Sequence, residues 1–196
     1  AVRLQARDHA WVDAAYNYAV GGVSDQLLGE GLGAVLRLTE QRRHGHDRAF
    51  ARLLAASVAS DEGRTTGRLD GAGDQIWHLE RLLPSVVLPL ARAKNTLLLI
   101  LDGMSAATAT ELTSIVLHGN EGWSEAIPAA AERRGSAVAV LPTLTNLSRA
   151  SMFSGELTSG GQSRELSGFA AVTKSGGISQ SVLFHKAQLD SSRPGL

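Results

Sequence analysis

Two polar residues follow stretches of the chain that have the composition of buried β-strands. The apolar run 97–101 ends at Asp102, and the apolar run 137–141 leads through a proline to Thr145. In open α/β sheets, ligands bind beyond the carboxyl ends of the strands, so we expect both side chains at one edge of a sheet. A carboxylate there can hold a divalent cation, which activates a threonine hydroxyl as a nucleophile. The spacing alone also fits an ordinary Asp102-Gly103 turn.

The residues around these two positions resemble the alkaline phosphatase superfamily. The matching stretches run from Leu98 to Gly103 and from Leu141 to Gly155. In that superfamily an Asp at the end of the first strand binds metal. The phosphodiesterase branch has a Pro-Thr-x-Thr segment whose second Thr is the nucleophile, with a Gly ten residues beyond it. The resemblance implies that Asp102 and Thr145 bind metal and that Thr145 is the catalytic nucleophile.

The sulfatase branch of the same superfamily matches less well. Ser148 and Arg149 agree with its pattern, but Leu147 replaces a proline and Thr145 replaces the Cys or Ser nucleophile. The resemblance therefore implies phosphate-ester rather than sulfate-ester chemistry. A helix that begins near Asn146 would also direct its first N–H groups towards a bound phosphate.

More narrowly, the chain resembles the PglZ domain of bacterial BREX and Pgl phage-defence systems. The similarity rests on a helical region before the first strand, the Leu-Pro-Thr-x-Thr segment, and the stretch from Leu183 to Leu189. It implies a cytoplasmic defence protein that hydrolyses a phosphate ester, either a monoester or a diester, with a divalent metal, zinc being expected. It also implies other defence proteins, such as a DNA methyltransferase, as partners.

The resemblance requires more metal ligands than this chain offers. Members complete a two-metal site with Asp and His residues downstream of the nucleophile, and here only His185 and Asp190 follow Thr145. A catalytic zinc has about three protein ligands. We therefore expect the chain to be a piece of a longer protein whose remaining ligands lie beyond Leu196, and enzymatic activity of the piece itself stays open.

Two other functions fit the residues. The chain could act as a non-catalytic platform that binds partner defence proteins, with its helical half as the docking surface. Alternatively, the run from Gly103 to Ala107 has the context of a hydrolase nucleophile elbow, with Ser105 as nucleophile and His118 or His185 as base. Ser105 is also a good residue to cap the following helix.

Apolar periodicity predicts a helical region over residues 1–94. Helices are expected across 8–60, interrupted near the three glycines between Gly29 and Gly33, each of which costs about 1 kcal/mol relative to Ala. A Gly-rich loop at 60–75 leads to a helix over 74–93.

Residues 95–196 are predicted to begin an alkaline-phosphatase-like α/β domain with a mainly parallel sheet. The two apolar runs would be parallel strands of a β-α-β unit. Helices are predicted at 105–116 and 123–134, irregular structure at 154–181, and short strands at 169–172 and 182–184. The predicted fold class is therefore α/β, with an N-terminal helical region.

Composition narrows the function classes. The 196 residues include 19 basic and 19 acidic side chains and no cysteine, and 43% are hydrophobic. This chain can bury a core, so a wholly disordered chain is excluded. A disulfide framework and thiolate metal sites are excluded by the lack of cysteine. Zero formal charge argues against direct DNA binding, and no apolar run is long enough to cross a membrane.

Overall fold

The computed structural model describes residues 10–59, 76–119, 122–127 and 134–189. The chain divides into two compact units. One contains the described residues up to Ile76 together with those of 101–136, and the other contains 77–100 together with the described residues from Ala137 onwards.

Helices dominate the described residues. In chain order the elements are helix α1 (Ala10–Val20), helix α2 (Gln26–Ala59), strand β1 (Ile76–His78), helix α3 (Leu79–Leu82), a π-helical turn (Leu83–Val87), helix α4 (Leu88–Ala93), helix α5 (Ala106–Gly119), strand β2 (Ser136–Val138), helix α6 (Thr145–Ser154), helix α7 (Gln162–Ser175) and a 3-10 helix (Lys186–Gln188). Among these helices, none combines the length and the hydrophobicity that a bilayer span requires.

The first unit is built from α1, α2 and α5. Helix α1 packs against both α5 and α2, and the guanidinium of Arg43 lies 5.0 Å from the ring centroid of Tyr16. Asp25 begins α2 by accepting the backbone N–H of Leu28. The interruption predicted near Gly29 to Gly33 is absent, because α2 runs unbroken through these glycines. A cost of about 1 kcal/mol per glycine is small enough for the flanking residues to offset.

The predicted α/β fold with a mainly parallel sheet is wrong. Strands β1 and β2, of three residues each, make a two-stranded parallel sheet, and the described residues are otherwise mostly helical. The apolar run 97–101 has no regular secondary structure. Leu97 is 80% exposed and Leu99 68% exposed. The expected neighbour of this run, the segment containing β2, pairs with β1 instead, and without a hydrogen-bonded neighbour an apolar run cannot form a sheet.

The second unit has its core between the segment 79–93 and the helices α6 and α7. The core consists of Leu83, Leu88, Met152 and Phe153, all buried. Phe153 meets Phe169 edge to face, with the ring centroids 6.0 Å apart. Arg92 donates its Nε–H to the carbonyl of Gly176 at 2.7 Å and so ties α4 to the end of α7.

Helices α6 and α7 form a hairpin that the sequence did not suggest. The hairpin turns at Gly155, which has a φ of 69° and ends α6. Gly168 lets the two helices approach closely, because a Cβ there would lie 3.0 Å from the Cα of Ser154. Residues 154–181 were expected to be irregular, but Glu165, Phe169 and Val172 recur at helical spacing and define a face of α7.

The remaining predicted elements have mixed outcomes. The helix predicted at 105–116 is confirmed as α5, and the helix predicted at 74–93 begins only at Leu79. The strand predicted at 169–172 lies within α7, and 182–184 has no regular structure. Of the helix predicted at 123–134, residues 123–127 and 134 are not helical, and 128–133 lie outside the described residues.

Candidate functional site

Thr145 is the first residue of α6 and is exposed. Leu144 precedes it in an extended conformation and makes no side-chain cap. The carbonyl of Leu144 accepts the N–H groups of both Leu147 and Ser148. The first N–H groups of a helix lack partners within the helix, so this end, which has no side-chain cap, presents the backbone donors of Thr145 and Asn146.

Arg149 lies one helical turn after Thr145. Residues four apart share a face of an α-helix, so both side chains project from the same side of α6. The Nη2 atom of Arg149 lies 2.5 Å from the Oε2 atom of Glu165 on α7. The Arg149 side chain is 30% exposed and the Glu165 side chain 4% exposed. The guanidinium therefore donates to one buried carboxylate, that of Glu165, and has further N–H donors besides the one on Nη2.

His185, which follows Glu165 in the chain, binds the same carboxylate as Arg149, which precedes it. Its Nε2 atom lies 2.7 Å from Oε2 of Glu165, and its side chain is 6% exposed. The His185 side chain also accepts the backbone N–H of Gln188, and the Gln188 side chain accepts the backbone N–H of His185 at 2.8 Å. If Nδ1 is the acceptor, then Nε2 carries the proton that it donates to Glu165.

We call Arg149, Glu165 and His185 the Glu165 cluster. A buried carboxylate is costly unless it is paired and hydrogen-bonded, and Glu165 has both kinds of partner. The cluster joins α6, α7 and the C-terminal segment. It therefore fixes the helix that carries Thr145.

The loop between α6 and α7 is also tied to α6. The hydroxyl of the fully buried Ser151 donates to the carbonyl of Thr158 at 2.9 Å and accepts its N–H at 3.0 Å. The N–H of Gly160 donates to the carbonyl of Asn146 at 3.1 Å. These bonds hold the loop against α6, and the one from Gly160 reaches its first turn.

Asp102 does not join Thr145 in one unit. It lies in an exposed turn of the first unit, next to Gly103 with a φ of 75°, whereas Thr145 belongs to the second unit. Asp102 and Thr145 do not share a sheet edge, because the apolar run before Asp102 is not a strand.

The described residues do not fit a metal centre. Across 10–59, 76–119, 122–127 and 134–189 there is no group of three His, Cys, Asp or Glu side chains placed to hold an ion. His185 uses its Nε2 atom on Glu165, and Asp190 lies outside the described residues. Since a catalytic zinc has about three protein ligands, Asp102 and Thr145 alone do not assemble one, and we derive no step through a metal.

Ser105 caps helix α5. Its hydroxyl accepts the N–H of Thr108 at 3.1 Å and lies 2.9 Å from the Thr108 hydroxyl. His118 lies at the other end of the helix, roughly 20 Å away at 1.5 Å per residue. Its Nδ1 atom is 2.7 Å from the carbonyl of Ser114. The structure therefore supports the capping role and brings no Ser105–His118 pair together.

Comparison of the chain with protein-family models, with curated proteins and with solved structures found no match. The resemblance noted above rests on the quoted residues alone. Sequence reasoning singled out Thr145, Arg149 and His185 separately but missed Glu165. Its helical spacing to Phe169 was the available signal, and the Ser- and Gly-rich surroundings obscured it.

Proposed function

We propose that this chain is part of a cytoplasmic phage-defence protein of the PglZ type, and that it acts on a phosphate ester through Thr145. The observation that carries the proposal is the placement of an exposed Thr145 at the uncapped start of α6, one turn before an anchored arginine. The assignment of Thr145 does not depend on the sheet, since Thr145 and Arg149 belong to a helical hairpin.

The groups at the start of α6 suit a phosphoryl centre. Helix N-terminal amides bind anions, and an arginine guanidinium matches the oxygens of a phosphate. In the proposed reaction the Thr145 oxygen forms a bond to phosphorus, and the bond from phosphorus to the leaving oxygen breaks. The leaving oxygen takes the proton that the hydroxyl loses, and water later hydrolyses the phosphothreonine.

A divalent metal, with zinc expected, belongs to the proposal through the resemblance alone. The described residues, Asp102 included, do not assemble its site, so no step of the proposed reaction passes through it. The metal would supply charge stabilisation for the phosphoryl oxygens. The zero formal charge argues against direct DNA binding by this chain.

The experiment is an assay of the intact protein with a generic phosphomonoester and a generic phosphodiester, with and without added zinc. Thr145→Ala should lower turnover by a factor on the order of 10³ or more, as removal of a nucleophile does. Thr143→Ala is the matched control, because Thr143 is also exposed and lies two residues away. Equal turnover by the wild type and Thr145→Ala would overturn the proposal.

A second candidate is the interaction platform, and the exposed apolar segment 97–101 favours it. A segment without hydrogen-bonded strand neighbours can add a strand to a partner's sheet, with main-chain hydrogen bonds giving affinity. A partner such as a DNA methyltransferase is implied by the resemblance. Replacing Leu97 and Leu99 together by Asp should abolish co-purification of defence partners, whereas Leu157→Asp, at an equally exposed site, should not.

A further inference from the structure

We propose that Glu165 and His185 are positioning residues that hold the Arg149 guanidinium for phosphate binding beside Thr145. This inference rests on the proposed function, because it gives Arg149 the phosphate as its ligand. Neither Glu165 nor His185 would contact the substrate, since both side chains are almost fully buried.

An arginine side chain on a helix surface can adopt many rotamers. A long side chain loses up to about 2 kcal/mol of rotamer entropy when it is fixed. The Arg149 side chain has already lost this rotamer entropy in the folded protein, because its Nη2 atom is bound to Glu165 at 2.5 Å. A guanidinium fixed beforehand binds an anion more tightly than one that must be ordered on binding.

Glu165 can act as an anchor because its own position is fixed. It lies in the first turn of α7, whose packing against α6 depends on Gly168 and on the contact of Phe153 with Phe169. Its Oε2 atom accepts from both Arg149 and His185. The second donor restrains rotation of the carboxylate, so the oxygen stays directed at Arg149.

His185 is fixed in turn by the 3-10 helix that follows it. The reciprocal bonds between His185 and Gln188 hold the imidazole at the start of that helix. If Nδ1 accepts the Gln188 N–H, Nε2 carries a proton and donates it to Glu165. Orientation therefore passes from Gln188 to His185, to Glu165 and finally to Arg149.

The first test is the tautomer of His185, measured in the wild-type chain by long-range proton–nitrogen NMR. We expect Nε2 to carry a proton that it donates to Glu165. A protonated Nδ1 with a bare Nε2 would overturn the inference, because His185 could not then donate to Glu165. This measurement needs no variant and so does not depend on whether a variant folds.

The second test follows the Nε–Hε signal of Arg149 while inorganic phosphate is added to the chain. We expect His185→Ala to weaken phosphate binding by about tenfold, which corresponds to about 1.4 kcal/mol. His185→Gln, whose amide can donate to Glu165, should restore binding to within about twofold. Arg164, an exposed arginine paired with the exposed Glu156, provides the internal control and should not respond.

The outcomes separate this inference from the proposed function. Unchanged phosphate binding in His185→Ala overturns the positioning role and leaves the proposed function standing. Absence of any phosphate response in the wild type counts against the proposed function. The positioning role is then decided by how ordered the Arg149 guanidinium is. Its order should be lower in His185→Ala than in the wild type, and equal order in the two proteins would overturn the positioning role.

Discussion

The Nε2 atom of His185 lies 2.7 Å from the Oε2 atom of Glu165, 20 positions earlier in the chain, and both side chains are buried. The same oxygen accepts from Arg149, 16 positions before Glu165. One carboxylate thus joins three separate segments of the second unit. We expect this cluster to govern both the stability of the helical hairpin and the orientation of the arginine near Thr145.

Removal of Arg149 should destabilise the chain more than removal of an exposed arginine. Arg149→Ala leaves the buried Glu165 with His185 as its remaining partner, and the loss should lower the free energy of unfolding by about 1–3 kcal/mol. Arg164→Ala removes an ion pair between exposed side chains and should cost less than about 1 kcal/mol. Urea unfolding of both variants measures the difference, and equal costs would show that the cluster contributes no more than a surface pair.

The close approach of α6 and α7 should make Gly168 sensitive to substitution. In Gly168→Ala the added Cβ would lie 2.3 Å from the Ser154 hydroxyl oxygen and 3.0 Å from its Cα, so the helices must separate. We expect a loss of about 1–3 kcal/mol in the free energy of unfolding. Gly45→Ala, in the interior of α2 where an added Cβ meets no atom within 4 Å, is the matched control. A neutral Gly168→Ala would contradict the described hairpin packing.

The ion pair of Arg134 with Glu125 in the first unit should make the stability of the chain depend on pH. Arg134 donates both Nε–H and Nη2–H to Glu125, and this hydrogen bonding lowers the pKa of the Glu125 carboxyl from its ordinary value. Because folding lowers this pKa, the pair contributes stability above the unfolded-state pKa, about 4.3, and loses it as the pH falls through the folded-state pKa.

A carboxyl-carbon NMR titration measures this effect directly. Arg134→Gln should raise the titration midpoint of Glu125, whereas Arg37→Gln, a change on the exposed surface of α2, should leave it in place. A midpoint that does not move in Arg134→Gln would show that the pair does not persist in solution.

Local signals in the sequence predicted the elements that local interactions determine. Apolar periodicity and a serine N-cap predicted α5, and the structure confirms both the helix and the Ser105 cap. The strand predicted at 97–101 does not form. Composition could not show this, because an apolar run has the same composition whether or not a neighbouring strand pairs with it. Here the segment containing β2 pairs with β1, a contact between residues far apart in the chain.

The candidate site was predictable only in part. The sequence predicted the helix that carries Arg149, but it placed the start near Asn146, so Thr145 was not assigned to the same helix face. Glu165 could not be linked to Arg149 or His185, because the pairing depends on how α6 turns back onto α7 at Gly155. The sequence also suggested a shared edge for Asp102 and Thr145, and that suggestion depended on a sheet that does not form.

The most direct test of the central claim is the location of a phosphoryl group trapped on the intact protein. The protein would be incubated with a labelled generic phosphomonoester, quenched in acid and mapped by peptide mass spectrometry. We predict a phosphoryl group on Thr145, retained in Thr143→Ala and lost in Thr145→Ala. Turnover of the ester with no label on Thr145, or with the label on Thr143, would contradict the assignment of Thr145 as the nucleophile.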